Sequence, residues 1–293
     1  MPSPRHSRMY RPIVHSSLNR QAGAEAERGP QALAETDLHE VGPGRYEAFL
    51  PETWTALQGV HGGFVASLAV RAVNRTMADP SRTLRAATFG FIRGVRPGLA
   101  TFCVKQVRIG RSLTTYHISV TQSEGPPSVV GRLHLSPSWA GVEFSDVKRP
   151  AVIARPPDAL RFVIPGGQGH VHHLSAWLHP KTTLFAGRAD ARWMAWTRPT
   201  PPDRVDAAWL TMLGDYFPPA VAVRNTGPSR AVSIEYGIQI HTSAEYYPLG
   251  TSQHLACEMR ATHAASGFAV EDGTIWAPDG TLLATVRQTR LAG

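Results

Sequence analysis

Two stretches of the chain show the same order of hydrophobic and polar segments. In each, a short strand-like run precedes an apolar segment of small residues with helical character, and four strand-like runs follow it. The first helix is predicted over 62–78, where the segment from Gly63 to Val73 is apolar on almost every side and therefore predicts burial. The second helix is predicted over 214–223, and the repeat aligns Asp215 with Gly63, so that only one copy carries an acid there.

Turn residues separate the strand-like runs of both halves, as at Pro278-Asp279-Gly280. In the first half the runs lie near 45–50, 86–92, 100–109, 113–122 and 128–136. In the second half they lie near 188–197, 233–239, 252–262, 266–276 and 281–290. Antiparallel runs around a central helix predict an α+β protein, because βαβ alternation with a parallel sheet is missing.

One sheet that curls around a central helix is the hotdog fold, and two copies in one chain predict a double hotdog with pseudo-twofold symmetry. We predict a flexible leader over 1–31, an N-terminal hotdog domain over 32–136, a linker over 137–186 and a C-terminal hotdog domain over 187–293. The linker assignment depends on its proline and glycine pairs, which block regular strand pairing. The two sheets are expected to join edge to edge.

The composition excludes several classes of protein. With 42% hydrophobic and 18% charged residues the chain can bury a sizeable core. No apolar run reaches the roughly 18–20 residues of a membrane-spanning helix. Cys103 and Cys257 are too few for a disulfide scaffold or a cysteine-rich zinc module. The sequence also lacks a P-loop and the Gly-x-Ser-x-Gly turn of α/β-hydrolases, which disfavours both enzyme classes.

The positive charge is concentrated at the N-terminus. The net charge is +8, and the leader holds Arg5, Arg8, Arg11 and Arg20 in a stretch without acids. The remaining charge is too small to predict nucleic-acid binding, and an anionic small ligand is equally compatible with it. The leader is compatible with a transit peptide, with a flexible tail, or with sequence upstream of a later start at Met9. Because it has no apolar signal region, we predict a cytoplasmic protein.

Several short motifs stand at fixed places within this order. In the first half they are Val60-His61-Gly62-Gly63 and the strand and turn Phe91-Ile92-Arg93-Gly94-Val95-Arg96-Pro97-Gly98. In the second half they are Gly214-Asp215, Ser233-Ile234-Glu235 leading to His241, and Leu283-Ala284-Thr285-Val286-Arg287-Gln288. Together they resemble the type II acyl-CoA thioesterases, a double-hotdog family of bacteria and peroxisomes. The resemblance covers roughly 40–136 and 187–291.

The resemblance implies a catalytic trio of Asp, Thr and Gln. Residue by residue, the trio falls on Asp215, Ser233 and Gln288. Ser233 departs from the family's threonine but keeps the hydroxyl group. A slip of one residue in the last strand would put Arg287 in place of Gln288, and such a slip turns a side chain to the other face of the sheet. The resemblance also implies an acyl-CoA substrate.

These residue types suit the hydrolysis of a thioester by an activated water. At a helix N-terminus the dipole would keep Asp215 ionised, so that its carboxylate can take a proton from the water. A hydroxyl and a side-chain amide can hold that water by hydrogen bonds. The turn of His61, Gly62, Gly63 and Phe64 is predicted to bind the substrate, with backbone N–H groups that receive the oxyanion. This reaction requires neither a cofactor nor a metal.

Several of these residues also have simpler interpretations. Asp215 alone is compatible with an acid that matches the charge of a helix end. His61 is compatible with a general base, as in hotdog dehydratases, although the histidine of such turns is usually structural. The cluster of His170, His172 and His173 is compatible with zinc binding, but no acid lies nearby at a ligand-like spacing.

Three functions are therefore compatible with the sequence, and acyl-CoA hydrolysis is favoured. The alternatives are a non-hydrolytic acyl-binding or scaffold protein and a hotdog hydratase or dehydratase, which the fold alone does not separate from a hydrolase. Convergence of the three trio residues on one water would favour the hydrolase. Arg93 and Arg111 are candidates for the CoA phosphates. We predict no nucleic-acid partner, and a homo-oligomer is compatible with the sequence.

Overall fold

A computed structural model describes residues 37–56, 58–123, 125–163, 169–182, 184–199, 205–227, 231–242 and 246–292. The predicted leader over 1–31 lies outside the described residues.

The described residues form 17 strands, two α-helices and three short 3₁₀ helices. Strands β1 to β8 are His39–Gly42, Arg45–Leu50, Thr55–Ala56, Gly59–Val60, Thr83–Phe91, Gly98–Ile109, Thr114–Thr121 and Val129–Ser136. Strands β9 to β17 are Leu160–Arg161, Leu174–Leu178, Arg192–Pro199, Val205–Asp206, Ala231–Ile240, Tyr246–Tyr247, Leu255–Ala265, Phe268–Trp276 and Leu282–Ala292. Helices α1 and α2 are Gly62–Thr76 and Ala207–Leu213, and the 3₁₀ helices are Glu52–Trp54, Gly169–His172 and Ala220–Val223.

Thirteen of these strands form one antiparallel sheet. Its order is β1-β2-β6-β7-β8-β5-β13-β17-β16-β15-β11-β10-β9, so the strands of the first half precede those of the second. The halves meet where β5 pairs with β13, with Phe89 opposite Tyr236. The predicted edge-to-edge junction is therefore present, and the two helices pack against each other on one side of it.

Helix α1 is buried over most of its length, as its apolar sequence predicts. Its residues from Gly63 to Val70 are all buried, and they join a core that extends into both halves of the sheet. His61 caps its N-terminus, because the ring nitrogen Nδ1 accepts a hydrogen bond from the Phe64 N–H at 3.2 Å. Within the described part of the chain, no helix is long and apolar enough to cross a membrane.

The second helix lies earlier in the chain than predicted. Asp206 caps α2, since its carboxylate accepts a hydrogen bond from the Trp209 N–H at 2.7 Å. The helix ends at Leu213, and only the short 3₁₀ helix Ala220–Val223 follows it. The predicted helix over 214–223 is wrong because Pro218-Pro219 falls inside it, and proline interrupts helical hydrogen bonding.

This shift changes the place of Asp215 in the fold. Asp215 follows the C-terminal end of α2 instead of starting a helix, where the dipole of α2 would not favour a carboxylate. The predicted alignment of Asp215 with Gly63 is also wrong, because Gly63 lies in the first turn of α1 whereas Asp215 follows the last turn of α2. The two residues are contact partners: the Gly63 N–H donates to Asp215 Oδ2 at 2.9 Å.

The predicted linker over 137–186 is partly ordered into the sheet. Strand β10 lies within it and pairs with β11 along its whole length. On the outer face of the sheet, Ile153 covers Trp196, and the Trp196 ring N–H donates to the Ile153 carbonyl at 2.8 Å. Part of this segment therefore packs against the outer face of the C-terminal half. The predicted domain boundaries remain a prediction.

Candidate functional site

The structure brings Asp215, Ser233 and Gln288 together beside the N-terminus of α1. Asp215 is only 8% exposed, and its Oδ1 accepts a hydrogen bond from Ser233 Oγ at 3.0 Å. Its Oδ2 accepts from the backbone of Gly63, in the first turn of α1. The positive end of a helix dipole therefore does face this carboxylate, but the dipole belongs to α1 and not to the helix that was predicted to begin at Asp215.

Gln288 faces the same point from β17. Its amide oxygen lies 3.1 Å from Ser233 Oγ, and its amide nitrogen donates to the Gly214 carbonyl at 2.9 Å. Gln288 is 1% exposed, whereas Arg287 points to solvent and pairs with Asp272 at 3.6 Å. The register without a slip is therefore the observed one, with Gln288 directed inward.

A bulge in β13 turns Ser233 toward Asp215. The pairing of β13 with β17 shifts register between Ser233 and Glu235, so Ser233 lies opposite Arg290. Tyr236, three residues after Ser233, is fully buried on the inner face, and strict alternation would place Ser233 on the outer face. An extra residue in one strand reverses that assignment, which is how β-bulges redirect side chains near functional sites.

Arg290 joins this group and was not predicted. It is 5% exposed, and its Nη1 donates to Ser233 Oγ at 2.9 Å while Nη2 lies 3.4 Å from Asp215 Oδ1. Its Nε donates to Glu271 Oε2 at 2.8 Å, and Glu271 is itself completely buried. One guanidinium thus links two buried carboxylates, and burial of charges in such pairs is tolerated because each is compensated by a partner.

His61 uses both ring nitrogens to build the site. Since Nδ1 accepts from the Phe64 N–H, the neutral ring carries its proton on Nε2, which donates to the backbone carbonyl of Asp215 at 3.0 Å. Burial lowers the pKa of His61, so the neutral form is favoured near neutral pH. The ring therefore fixes the backbone of Asp215 and has no free nitrogen for proton transfer in this arrangement.

The predicted oxyanion donors are largely occupied. The Gly63 N–H donates to Asp215 and the Phe64 N–H donates to His61, so neither points to an incoming ligand. This contradicts the predicted use of both groups. Gly62 differs, because its N–H has no backbone or side-chain acceptor among the described residues and the residue lines the pocket.

His170 and His173, two histidines of the cluster weighed for zinc binding, have separate partners. His170 stacks on His61 with ring centroids 4.8 Å apart, and its Nδ1 lies 3.2 Å from the Thr55 carbonyl. His173 stacks on Trp54 at 4.1 Å. Burial lowers the pKa of His170 to about 3 and that of His173 to about 4. Among the described residues no three side chains of His, Cys, Asp or Glu form a metal-ligand set.

The buried neutral His170 predicts an acid-dependent loss of stability. The ordinary pKa of histidine is about 6.5, so at lower pH the unfolded chain binds a proton that the folded site rejects. Stability from this residue is therefore complete above the unfolded pKa and falls as the pH decreases below it. Between about pH 7.5 and 5.5 the expected loss is about 1.4 kcal/mol.

The test compares wild type with His170→Gln, whose amide can still donate to the Thr55 carbonyl. Urea unfolding at both pH values gives the free energies of unfolding. Wild type is expected to lose about 1.4 kcal/mol more than the variant on acidification. The other histidines contribute equally to both proteins, so an identical loss in the two would contradict the prediction.

A pocket of about 380 Å³ opens onto these residues. Its walls are mainly apolar, and its polar residues include Asp215, Ser233 and Arg290 together with His61 and His170. The apolar walls come from both halves of the chain: Val65, Phe91, Val95, Phe162, Phe217 and Val232. A concave, mostly apolar site with few polar groups is typical of a small-molecule site.

The two arginines predicted for the CoA phosphates lie in different places. Arg93 lines the pocket and donates to the Pro126 carbonyl at 2.6 Å. Arg111 is not among the pocket residues, and its guanidinium lies over the ring of Trp139 at 5.7 Å. Of these two predicted arginines, Arg93 is therefore the one that can meet a ligand of this pocket.

Two family models match the chain. One, described as the acyl-CoA thioesterase N-terminal domain, covers residues 50–135, and the other, described as the acyl-CoA thioesterase C-terminal domain, covers 148–292. The chain therefore belongs to the acyl-CoA thioesterase family and is a thioester hydrolase. The C-terminal match begins inside the predicted linker, in agreement with the packing of that segment on the second half of the sheet.

Solved structures show the same fold at low sequence identity. A conserved protein of unknown function with a hot dog fold from Alicyclobacillus acidocaldarius is 23% identical, with a TM-score of 0.79 over 90% of this chain and 98% of that one. An acyl-CoA thioesterase II, TesB2, from Mycobacterium marinum is 20% identical, with a TM-score of 0.67 over 88% of this chain and 96% of that one. A search of curated proteins finds no match. The fold is thus of the hotdog type.

Proposed function

We propose that this protein is a double-hotdog thioesterase that hydrolyses acyl-CoA with a water activated by Asp215. The observation that carries the proposal is the position of the Asp215 carboxylate. It is buried at the start of α1, bonded to Ser233 Oγ at 3.0 Å, and lines a pocket with apolar walls. A carboxylate in hydrogen-bond reach of a water at a thioester carbonyl is a suitable general base.

Two features support the double-hotdog part of the proposal. Each half of the chain contributes one central helix, and the strands before and after that helix build one half of the sheet. The halves join through β5 and β13, next to which α1 meets the end of α2. The pocket draws residues from both halves, so a site of this kind requires the complete pair.

In the proposed reaction the water oxygen bonds to the thioester carbonyl carbon and its proton moves to Asp215. The C–S bond then breaks, the proton passes to the leaving thiolate, and a free acid and CoA are released. Ser233 and Arg290 hold Oδ1 of the carboxylate, and Gly63 holds one side of Oδ2. A lone pair of Oδ2 remains for the water, since a carboxylate has about four acceptor sites.

We assign the oxyanion to the free N–H of Gly62. This donor lies at the N-terminus of α1, where the helix dipole favours negative charge. Gly62 also has no side chain to fill the space in front of the carboxylate. A Cβ at this position would lie 3.0 Å from Asp215 Oδ2 and 3.0 Å from the ring of Phe91.

Gly62→Ala is therefore expected to lower kcat/KM by roughly tenfold, because misplacement by a fraction of an ångström disturbs the reacting geometry. Gly42→Ala is the matched control, since a Cβ there would meet no atom within 4 Å. Steady-state turnover and melting temperature are measured on both variants. Equal kcat/KM values for Gly62→Ala and wild type would show that the space beside Oδ2 is not used.

The proposal is tested with a panel of acyl-CoA esters from short to long chains and a thiol reagent that detects released CoA. We expect hydrolysis of at least part of the panel without added metal or cofactor. If no ester of any length is hydrolysed while acyl-CoA still binds, the chain is a non-hydrolytic acyl-binding protein and the proposed mechanism is wrong.

A further inference from the structure

An arginine cluster surrounds Trp177 on the outer face of the sheet. The guanidinium carbons of Arg155 and Arg161 lie 4.9 Å and 4.8 Å from the centre of the Trp177 ring. Arg161 lies directly opposite Trp177 in the pairing of β9 with β10, whereas Arg155 comes from the segment that covers this face. Arg198, opposite Ser175 in the next pair of strands, belongs to the same face.

Among the described residues, no acid compensates the positive charge of this cluster. None of its three arginines forms an ion pair with a carboxylate of the described residues. His254 packs edge-on against Trp177, with ring centroids 4.9 Å apart. Burial, and after it the positive charges of Arg155 and Arg198, lowers the pKa of His254 to about 4. Two guanidinium groups and a neutral imidazole therefore share the Trp177 ring, and Arg198 adds a third positive charge on the same face.

The cluster also has unused hydrogen-bond donors. Arg155 Nε has no acceptor among the described residues, but it is buried and does not itself face a ligand. One N–H group of Arg155 donates to the Pro156 carbonyl at 3.4 Å and one of Arg198 donates to the Thr251 carbonyl, so the remaining outer N–H groups are the ones available. Arg161 is exposed and stacks on the ring, an arrangement that leaves the N–H edge of a guanidinium available. Forked N–H donors with a net positive charge match the oxygens of a phosphate group, which guanidinium groups bind by paired charge-assisted hydrogen bonds.

We propose that the arginine cluster around Trp177 is a binding site for phosphate groups. A phosphate would neutralise the repulsion between the guanidiniums and use donors that the protein leaves free. Two sources supply this chemistry: the nucleotide end of a CoA thioester, and a free nucleotide or phosphate ion. The first source depends on the proposed function, and the second does not.

The position of the cluster connects it to the pocket. Phe162 follows Arg161 in the chain and forms part of the pocket wall. The phosphate site therefore lies behind one wall of the pocket, at the edge of the sheet that ends with β9.

The test is calorimetric titration of the full chain with adenosine 3′,5′-bisphosphate, which has the phosphates of the CoA nucleotide, and with inorganic phosphate. The double variant Arg155→Gln and Arg161→Gln is expected to bind the nucleotide at least tenfold more weakly than wild type. Arg132→Gln is the matched control, because Arg132 is exposed on the N-terminal half of the same sheet. This control is expected to bind like wild type.

Turnover of an acyl-CoA by the same proteins separates the two sources. A higher KM with an unchanged kcat in the double variant would assign the phosphate site to the substrate. An unchanged KM with weakened nucleotide binding would assign it to a free phosphate compound. The phosphate site is refuted if neither probe binds wild type, or if the double variant binds both probes as well as wild type does. Thioester hydrolysis by the same proteins would still support the proposed function in that case.

Discussion

Asp215→Asn is expected to lower thioester turnover by roughly 100-fold or more, the range for loss of a general base. The substitution keeps the shape of the side chain and an oxygen that can accept the Gly63 N–H. It removes the negative charge that takes the proton from water. Stability is expected to fall only moderately, because Arg290 keeps its second carboxylate partner in Glu271.

Asp206→Asn is the matched control for this substitution. Asp206 lies in the same region of the chain and caps α2, and Asn caps helices about as well as Asp. It is therefore expected to keep both turnover and melting temperature close to wild type. If Asp215→Asn hydrolysed acyl-CoA as fast as wild type, Asp215 would be a structural acid and the mechanism would fall.

Most of the fold follows from the sequence because two simple patterns dominate it. The strands of the second half lie within a few residues of their predicted places, since turn residues such as Pro278-Asp279-Gly280 interrupt them clearly. Helix α1 follows from its continuous apolar segment. The buried strand β10 was hidden in a segment whose prolines predict a linker, because local signals do not show that such a segment packs on a distant strand.

The error at the second helix had a visible signal. Asp206 followed by Ala207, Ala208 and Trp209 is a helix start with an N-cap residue, and Pro218-Pro219 argues against a helix over 214–223. The predicted helix over 214–223 instead follows from alignment of the glycine-containing turn at Gly214 with the one at Gly62 and Gly63. The two halves share the order of their elements, but their helices start at different places relative to the glycine-containing turns. Residues aligned through those turns are therefore not structurally equivalent.

The site shows what alternation along a strand can and cannot predict. Once Gln288 faces inward, Arg290 two residues later must face inward too, and Glu271 lies opposite Gln288 in the neighbouring strand. The burial of Arg290 and Glu271 could therefore have been predicted from the sequence. Charged residues are rarely buried without a partner, so the two would have been expected to pair with each other. The bulge beside Ser233 has no comparable signal, because it arises from the pairing of two distant strands.

Arg290→Met is expected to be the most disruptive substitution in this site. It leaves Asp215 and Glu271 as buried carboxylates without their shared cation, and breaking a buried ion pair in this way costs about 3–5 kcal/mol. Turnover is expected to fall by roughly 100-fold, as for misplaced catalytic groups. Unfolding in urea measures the first effect and CoA release measures the second.

Stability and positioning are separated by adding Glu271→Leu to Arg290→Met. Replacement of both charged partners by apolar residues is often neutral for stability, so the double variant is expected to regain most of the lost free energy of unfolding. Turnover is not expected to recover, because Asp215 and Ser233 still lack the guanidinium that holds them. Recovery of turnover together with stability in the double variant would show that Arg290 serves only the fold.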